Sequence, residues 1–206
     1  VALSKYSGRI LGAEITRVLR SQYDLLIAGL LLMPELLGIY SFAKSAGVGL
    51  GQSLSSAYIG VLYPHICKLQ RAQAEGFKQA PIYLLSLAIG LIFVLQALVA
   101  PLYINWFFPA HWHESAQIVS LLCLTAIPAL LVDTQASVLR AQNRLNAEFI
   151  QGVFCVVSSL AIMHLVAPAS PLEFAQVVAL TSVCWLCTLG VNLTNFRPIL
   201  LKRVSL

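Results

Sequence analysis

The stretch IYLLSLAIGLIFVLQALVAPLYINWFF at residues 82–108 decides the fold, because it contains no Asp, Glu, Lys or Arg. A helix needs about 20 mostly apolar residues to cross the hydrocarbon of a bilayer, and this stretch is longer than that. Similar apolar stretches recur along the chain. They give six predicted spans, at residues 15–33, 37–63, 82–108, 115–139, 147–166 and 174–196. The sequence therefore predicts an all-α, polytopic integral membrane protein, with residues 1–206 forming one six-helix transmembrane bundle.

The composition excludes an ordinary soluble domain. Apolar residues make up 59% of the chain and charged residues 10%, whereas soluble domains carry roughly 45–50% apolar and about 25% charged residues. The motifs of hydrolases, P-loop proteins, dinucleotide-binding enzymes and metalloproteases are absent from the sequence. We therefore expect no enzyme activity and no cofactor.

Two short motifs could hold a metal ion or a redox pair, but both favour a simpler interpretation. His111 and His113 flank Trp112 in a predicted outer turn, and two ligands do not make a metal site. Cys184 and Cys187 form a CxxC inside an apolar helix, where cysteine is a small packing residue. We predict no metal site and no disulfide framework.

The basic residues predict the topology. The chain has 13 Lys and Arg, and all except Lys44 fall in four clusters: Lys5/Arg9/Arg17/Arg20, Lys68/Arg71/Lys78, Arg140/Arg144 and Arg197/Lys202/Arg203. Cytoplasmic loops collect Lys and Arg, so we expect the clusters and both termini of this segment on the cytoplasmic side of a bacterial inner membrane. The net charge of +5 then indicates attraction to anionic membrane lipids rather than to nucleic acid.

Lys44 is the one basic residue that violates this topology, because it lies inside the second predicted span. An ionisable residue near the centre of a membrane helix costs about 2.5–3.5 kcal/mol on insertion scales. Two interpretations stay open. Lys44 could extend to the outer headgroups, or it could be a cationic ligand for an anionic substrate in a central cavity.

Three further charged side chains are candidates for a site. Arg17, Arg20 and Asp24 share one face of the first helix, so they could form an ion pair at the membrane edge or a mouth that attracts phosphate. Asp133 lies inside the fourth span. It could be protonated, hydrogen-bonded to a neighbouring helix, or part of a coupling-ion site.

Glycine and proline shape the expected second span. Gly47, Gly49 and Gly51 follow one another at a spacing of two. We interpret them as a flexible or broken segment of the kind that transporters place beside a substrate path, rather than as a small-residue packing seam. Pro64 and His65 are expected to end the span.

Five stretches together resemble the polysaccharide flippases of the Wzx (O-antigen) type, which belong to the MOP exporter superfamily. They are QYDLLIAG at 22–29, LGIYSFA at 37–43, VLYPH at 61–65, FFPAHWHESA at 107–116 and ASVLRAQNR at 136–144. The second stretch carries the G-x-Y-x-x-A part of the family signature. The chain departs from the family at Pro109 and Asn143, where Gly is common. Each motif is weak alone, but their order and spacing extend over most of the chain.

The resemblance implies a fold and a function. The chain is similar to the C-terminal six-helix lobe of a two-lobe transporter, so we expect a missing N-terminal lobe or a second subunit, consistent with a start at Val1 rather than Met. The implied activity moves an undecaprenyl-pyrophosphate-linked oligosaccharide from the inner to the outer leaflet by alternating access. Lys44 would be a cavity cation, Arg17 and Arg20 would lie at the cytoplasmic mouth, and Asp133 could serve proton or sodium coupling.

Three alternatives remain at this point. A MATE-like exporter of organic cations should have more acidic than basic residues in its cavity, and an unpaired Lys44 argues mildly against it. A membrane subunit or remnant without transport activity is also compatible with the chain. An intramembrane enzyme of polyprenyl-phosphate chemistry would need clustered Asp, His or Arg at one face, whereas the predicted inner loops carry basic residues with Glu75 and Glu148.

Overall fold

A computed structural model describes residues 2–72 and 80–194 of the chain. All regular secondary structure in these residues is helical, in the order α1 (Ala2–Leu31), α2 (Pro34–Ala72), α3 (Ala80–Phe107), a short 3₁₀ helix (Ala110–Trp112), α4 (Ser115–Ala141), α5 (Leu145–Val166), α6 (Pro171–Trp185) and α7 (Cys187–Thr194). The basic residues Lys78, Arg197, Lys202 and Arg203 lie outside the described residues.

Four helical segments are long and apolar enough to cross a membrane. They are Ala80–Phe107, Ser115–Ala141, Leu145–Val166 and Pro171–Gly190. The prediction of an all-α membrane protein is therefore confirmed. The first two helices are longer than a bilayer requires but more polar, with 30 residues in α1 and 39 in α2. That they also cross the membrane stays a prediction, as does the orientation of the termini.

Two predicted boundaries of the spans need correction. Pro64 does not end the second helix, because α2 continues through it to Ala72. A proline inside a helix leaves the carbonyl four residues earlier without its donor. Here that residue is Gly60, which has no side chain to add to the crowding. The sixth predicted span is divided at Leu186 into α6 and α7, and its last two residues lie outside the described part.

The centre of the bundle is α4, which packs against α2, α3, α5 and α6. Its buried side chains include Val119, Leu122 and Leu130. By contrast, α3 exposes large apolar side chains along one face, such as Leu91 and Leu98. Lipid solvates such a face as well as protein does, so the exposed leucines of α3 are expected for a membrane helix.

Gly47 and Gly51 pack α2 tightly against its neighbours, which corrects the predicted broken segment. The helix is continuous across both glycines. A Cβ atom added at Gly47 would lie 3.0 Å from the carbonyl oxygen of Val119, and one at Gly51 would lie 3.2 Å from the Phe93 ring. The Gln96 amide also donates to the Gly47 carbonyl at 3.1 Å. The two glycines, four residues apart, are a close-packing seam of the kind common in membrane helices.

The turn between α4 and α5 explains one departure from the family pattern. Asn143 has a φ of 58°, in the left-handed region that glycine adopts freely and asparagine tolerates. Its backbone N–H donates to the Arg140 carbonyl at 3.0 Å. Asparagine is thus a fitting replacement where glycine is common.

Asn143→Val is expected to lower the free energy of unfolding by about 1–2 kcal/mol, because a β-branched residue is strained in the left-handed region. Asn143→Gly is the matched control and should leave stability nearly unchanged, since the Asn143 side chain is exposed. The measurement is denaturation of both purified variants in detergent micelles. Equal losses in the two variants would show that the side chain, and not the backbone conformation, matters at this turn.

Candidate functional site

A cavity of about 530 Å³ lies between α1 and α2 and is closed from behind by α4 and α6. The two helices are joined by a short turn at residues 32–33. The cavity exists because α1 then packs mainly against α5, whereas α2 packs mainly against α4. The charged side chains that line it are Arg17, Arg20, Asp24, Lys44 and Asp133. The structure thus brings together all five charged residues that the sequence marked as candidates.

Lys44 points into this cavity and is paired. Its Nζ atom lies 2.6 Å from Oδ1 of Asp24 and donates to the Ser21 carbonyl at 2.9 Å. The Tyr40 hydroxyl donates to the other carboxylate oxygen of Asp24 at 2.6 Å. The side chain of Lys44 is 13% exposed and that of Asp24 is 5% exposed. The interpretation that Lys44 extends to the outer headgroups is therefore wrong, and so is the description of Lys44 as unpaired.

The depth of this pair follows from helix geometry. Lys44 is ten residues from the first residue of α2, which at 1.5 Å per residue is about 15 Å along the helix. The hydrocarbon core is about 30 Å thick. If α2 crosses the bilayer as predicted, the pair lies near the middle of the membrane, where a charge without a partner is most costly.

Arg20 forms the second ion pair of the cavity, with Asp133 of α4. The predicted membrane-edge pair between Arg20 and Asp24 is therefore wrong, because each of these side chains has its partner on a different helix. The guanidinium carbon of Arg20 also lies 5.3 Å from the ring centroid of Trp185, within the range of a cation–π contact. The indole N–H of Trp185 is held by Ser159 Oγ at 3.1 Å.

Arg17 is the most exposed cation of the cavity. Its side chain is 33% exposed, compared with 8% for Arg20. Its contacts with carboxylates are long, 3.4 Å to Glu14 and 3.9 Å to Asp133. Ion pairs of this length and exposure contribute little to stability. Arg17 is thus the cavity cation that an incoming anion can reach with the smallest loss of existing contacts.

A second cluster of charges continues from Arg17 away from the cavity. Glu14 accepts from Nη2 of Arg140 at 2.7 Å, and Arg140 also binds Glu148 through two nitrogens, the shorter distance being 2.5 Å. Glu148 is almost completely buried, with 4% of its side chain exposed. These contacts join α1, α4 and α5. The sequence alone indicated no site role for Glu14, Arg140 or Glu148.

The balance of charge in the cavity favours an anion. Three of the lining residues are cationic (Arg17, Arg20 and Lys44) and two are carboxylates (Asp24 and Asp133). A MATE-like exporter was expected to show the opposite excess. In the described part of the chain, no group of three His, Cys, Asp or Glu side chains is placed to hold a metal ion. The arrangement can bind an anionic group.

A family model described as "Polysaccharide biosynthesis protein" matches residues 1–117, more than half of the chain. The chain belongs to the polysaccharide biosynthesis protein family. Neither a curated protein nor a solved structure matches it. The region that matches contains α1, α2 and α3, and so it includes Arg17, Arg20, Asp24 and Lys44.

In this polysaccharide biosynthesis protein, two residues of the site, Tyr40 and Trp185, were not predicted from the sequence. Tyr40 lies one helical turn before Lys44 and so on the same face, which was the available signal for its contact with Asp24. For Trp185, nothing in the sequence indicated that Arg20 would lie over its ring.

Proposed function

We propose that this membrane protein takes part in moving a lipid-linked oligosaccharide, attached through undecaprenyl pyrophosphate, from the inner to the outer leaflet of the bacterial inner membrane. The family supports a role in polysaccharide synthesis, and the apolar helices support a site within the bilayer. A pyrophosphate and a sugar chain dissolve poorly in hydrocarbon. A polar cavity that opens first to one side and then to the other removes that obstacle.

The observation that carries the proposal is the partly exposed Arg17 side chain in the polar cavity between α1 and α2. Arginine binds phosphate oxygens with two parallel hydrogen bonds and keeps its charge in an apolar environment. In the proposed sequence of events the pyrophosphate contacts Arg17 first. Arg20 and Lys44 lie deeper and would stabilise the anion as it advances, while Asp24 keeps Lys44 neutralised until the anion arrives.

Asp133 is proposed as the group that couples transport to a cation. Its carboxylate is neutralised by Arg20 and contacts Arg17. When an anion occupies the two arginines, Asp133 loses part of that neutralisation and can accept a proton or a sodium ion instead. No covalent bond is made or broken in this scheme, so the proposed activity is transport and not catalysis.

A second lobe completes the proposed transporter. In the single lobe, α4 and α6 close one side of the cavity. The gap between α1 and α2 lies on the side opposite α4 and α6. We propose that either an N-terminal lobe or a second copy of this chain covers that gap and lets the substrate pass between the two lobes.

Arg17→Gln is expected to reduce transport by about tenfold or more, since hydrogen bonds to charged groups contribute about 1.5–3 kcal/mol. The assay is the amount of surface polysaccharide restored in a flippase-null strain that expresses the protein. Lys68→Gln is the matched control, because Lys68 is exposed on α2 and does not line the cavity. Full restoration by Arg17→Gln at normal expression would contradict the proposed anion site.

A further inference from the structure

Glu14 contacts two arginines, and only one of them lines the cavity. It is 3.4 Å from Nη1 of Arg17, which lines the cavity, and 2.7 Å from Nη2 of Arg140, which does not. Its side chain is 39% exposed, and each of its two carboxylate oxygens contacts one arginine, so it can release Arg17 while it stays on Arg140. One carboxylate is thus shared between the cavity and a neighbouring ion-pair cluster.

The remaining contacts of Arg140 are with a buried carboxylate. Glu148 binds Arg140 through both carboxylate oxygens and is itself almost completely buried. The Arg140–Glu148 pair is therefore stronger than the partly exposed contacts of Glu14. Arg140 also lies in the last turn of α4, where a positive charge is favourable. Arg140 can therefore keep its contact with Glu14 when Glu14 releases Arg17.

We infer that Glu14 is an internal competitor of the substrate: in the empty cavity its carboxylate bridges Arg17 and Arg140, and when the substrate's phosphate binds Arg17 the carboxylate releases Arg17 and stays on Arg140. Glu14 is a positioning residue, because it acts through Arg17 and does not touch the substrate. This inference rests on the proposed anion site. It assigns a role to Glu14, Arg140 and Glu148 that the proposed function does not contain.

The inference predicts effects of opposite sign from two neutral changes. Glu14→Gln removes the competitor, so Arg17 should bind an anion more tightly. The double variant Arg140→Gln/Glu148→Gln removes the alternative partner of Glu14 together with that partner's own counter-ion. Glu14 then stays on Arg17, and anion binding should weaken. If the cluster only stabilised the packing of α1 against α4 and α5, both variants would change the affinity for the anion in the same direction.

The experiment titrates inorganic pyrophosphate into the purified chain in detergent micelles by isothermal calorimetry. We expect Kd to fall about two- to fivefold in Glu14→Gln and to rise about two- to fivefold in the double variant, the range given by a partly exposed ion pair. Glu14→Ala also removes the charge and replaces Glu14→Gln if that variant unfolds. An unchanged or higher Kd in the Glu14 variant, or a lower Kd in the double variant, would overturn the inference.

The variant Arg17→Gln separates this inference from the proposed function. If it binds pyrophosphate as tightly as the unchanged chain, the anion site itself fails and the inference fails with it. If it loses binding while Glu14→Gln shows no gain, the anion site stands and only the competitor role of Glu14 is rejected.

Discussion

Asp24→Asn is expected to lower the free energy of unfolding by about 3–5 kcal/mol, because removing one partner of a buried ion pair leaves the other charge without compensation. The Asp24 side chain is 5% exposed and lies 2.6 Å from Nζ of Lys44. Asparagine keeps an oxygen that can accept from Tyr40, so the loss reports the missing charge. Chemical denaturation of the purified variant in micelles measures it.

The double variant Asp24→Asn/Lys44→Met is the control for this prediction. Replacing both members of a buried pair by neutral groups of similar size is often nearly neutral, so it should recover most of the lost stability. It should nevertheless fail to restore transport if Lys44 stabilises the substrate's anion. A loss below about 1 kcal/mol in Asp24→Asn would mean that water reaches Lys44 well enough to replace its partner.

The charged residues that line the cavity could be picked out from the sequence, because a charge inside an apolar stretch is anomalous without any knowledge of neighbours. Lys44 and Asp133 were found in this way. Their partners were not, since Lys44 pairs with a residue 20 positions away and Asp133 with one 113 positions away. Such pairings depend on how the helices pack. The charges in the sequence therefore could not show whether Arg20 would pair with Asp24 or with Asp133.

The fold was predictable to the extent that the bilayer sets it. The thickness of hydrocarbon fixes the length of a spanning helix, so the apolar stretches predicted an all-α membrane protein. Pro64 was misleading because a proline inside a helix removes only one backbone hydrogen bond, and α2 continues past it to Ala72. The break at Leu186 had no recognisable signal, since its neighbours Trp185 and Cys187 are compatible with a continuous helix.

Gly47 shows why spacing alone could not decide between a broken helix and a packing seam. The same three glycines satisfy both patterns, and only the neighbour resolves the choice. At Gly47 that neighbour is the backbone oxygen of Val119, whereas at Gly49 nothing lies within 4 Å of an added Cβ atom. The two positions therefore form a matched pair on one helix.

Gly47→Leu is expected to lower the free energy of unfolding by about 3 kcal/mol, since overpacking typically costs 1–3 kcal/mol and a backbone oxygen cannot rotate away. Gly49→Leu should be neutral or slightly stabilising, because leucine favours the helix over glycine by up to about 1 kcal/mol. Both variants gain the same helix preference, so their difference isolates the contact with α4. Denaturation in micelles measures both, and equal shifts in the two variants would reject the seam and restore the interpretation of this segment as a flexible path beside the cavity.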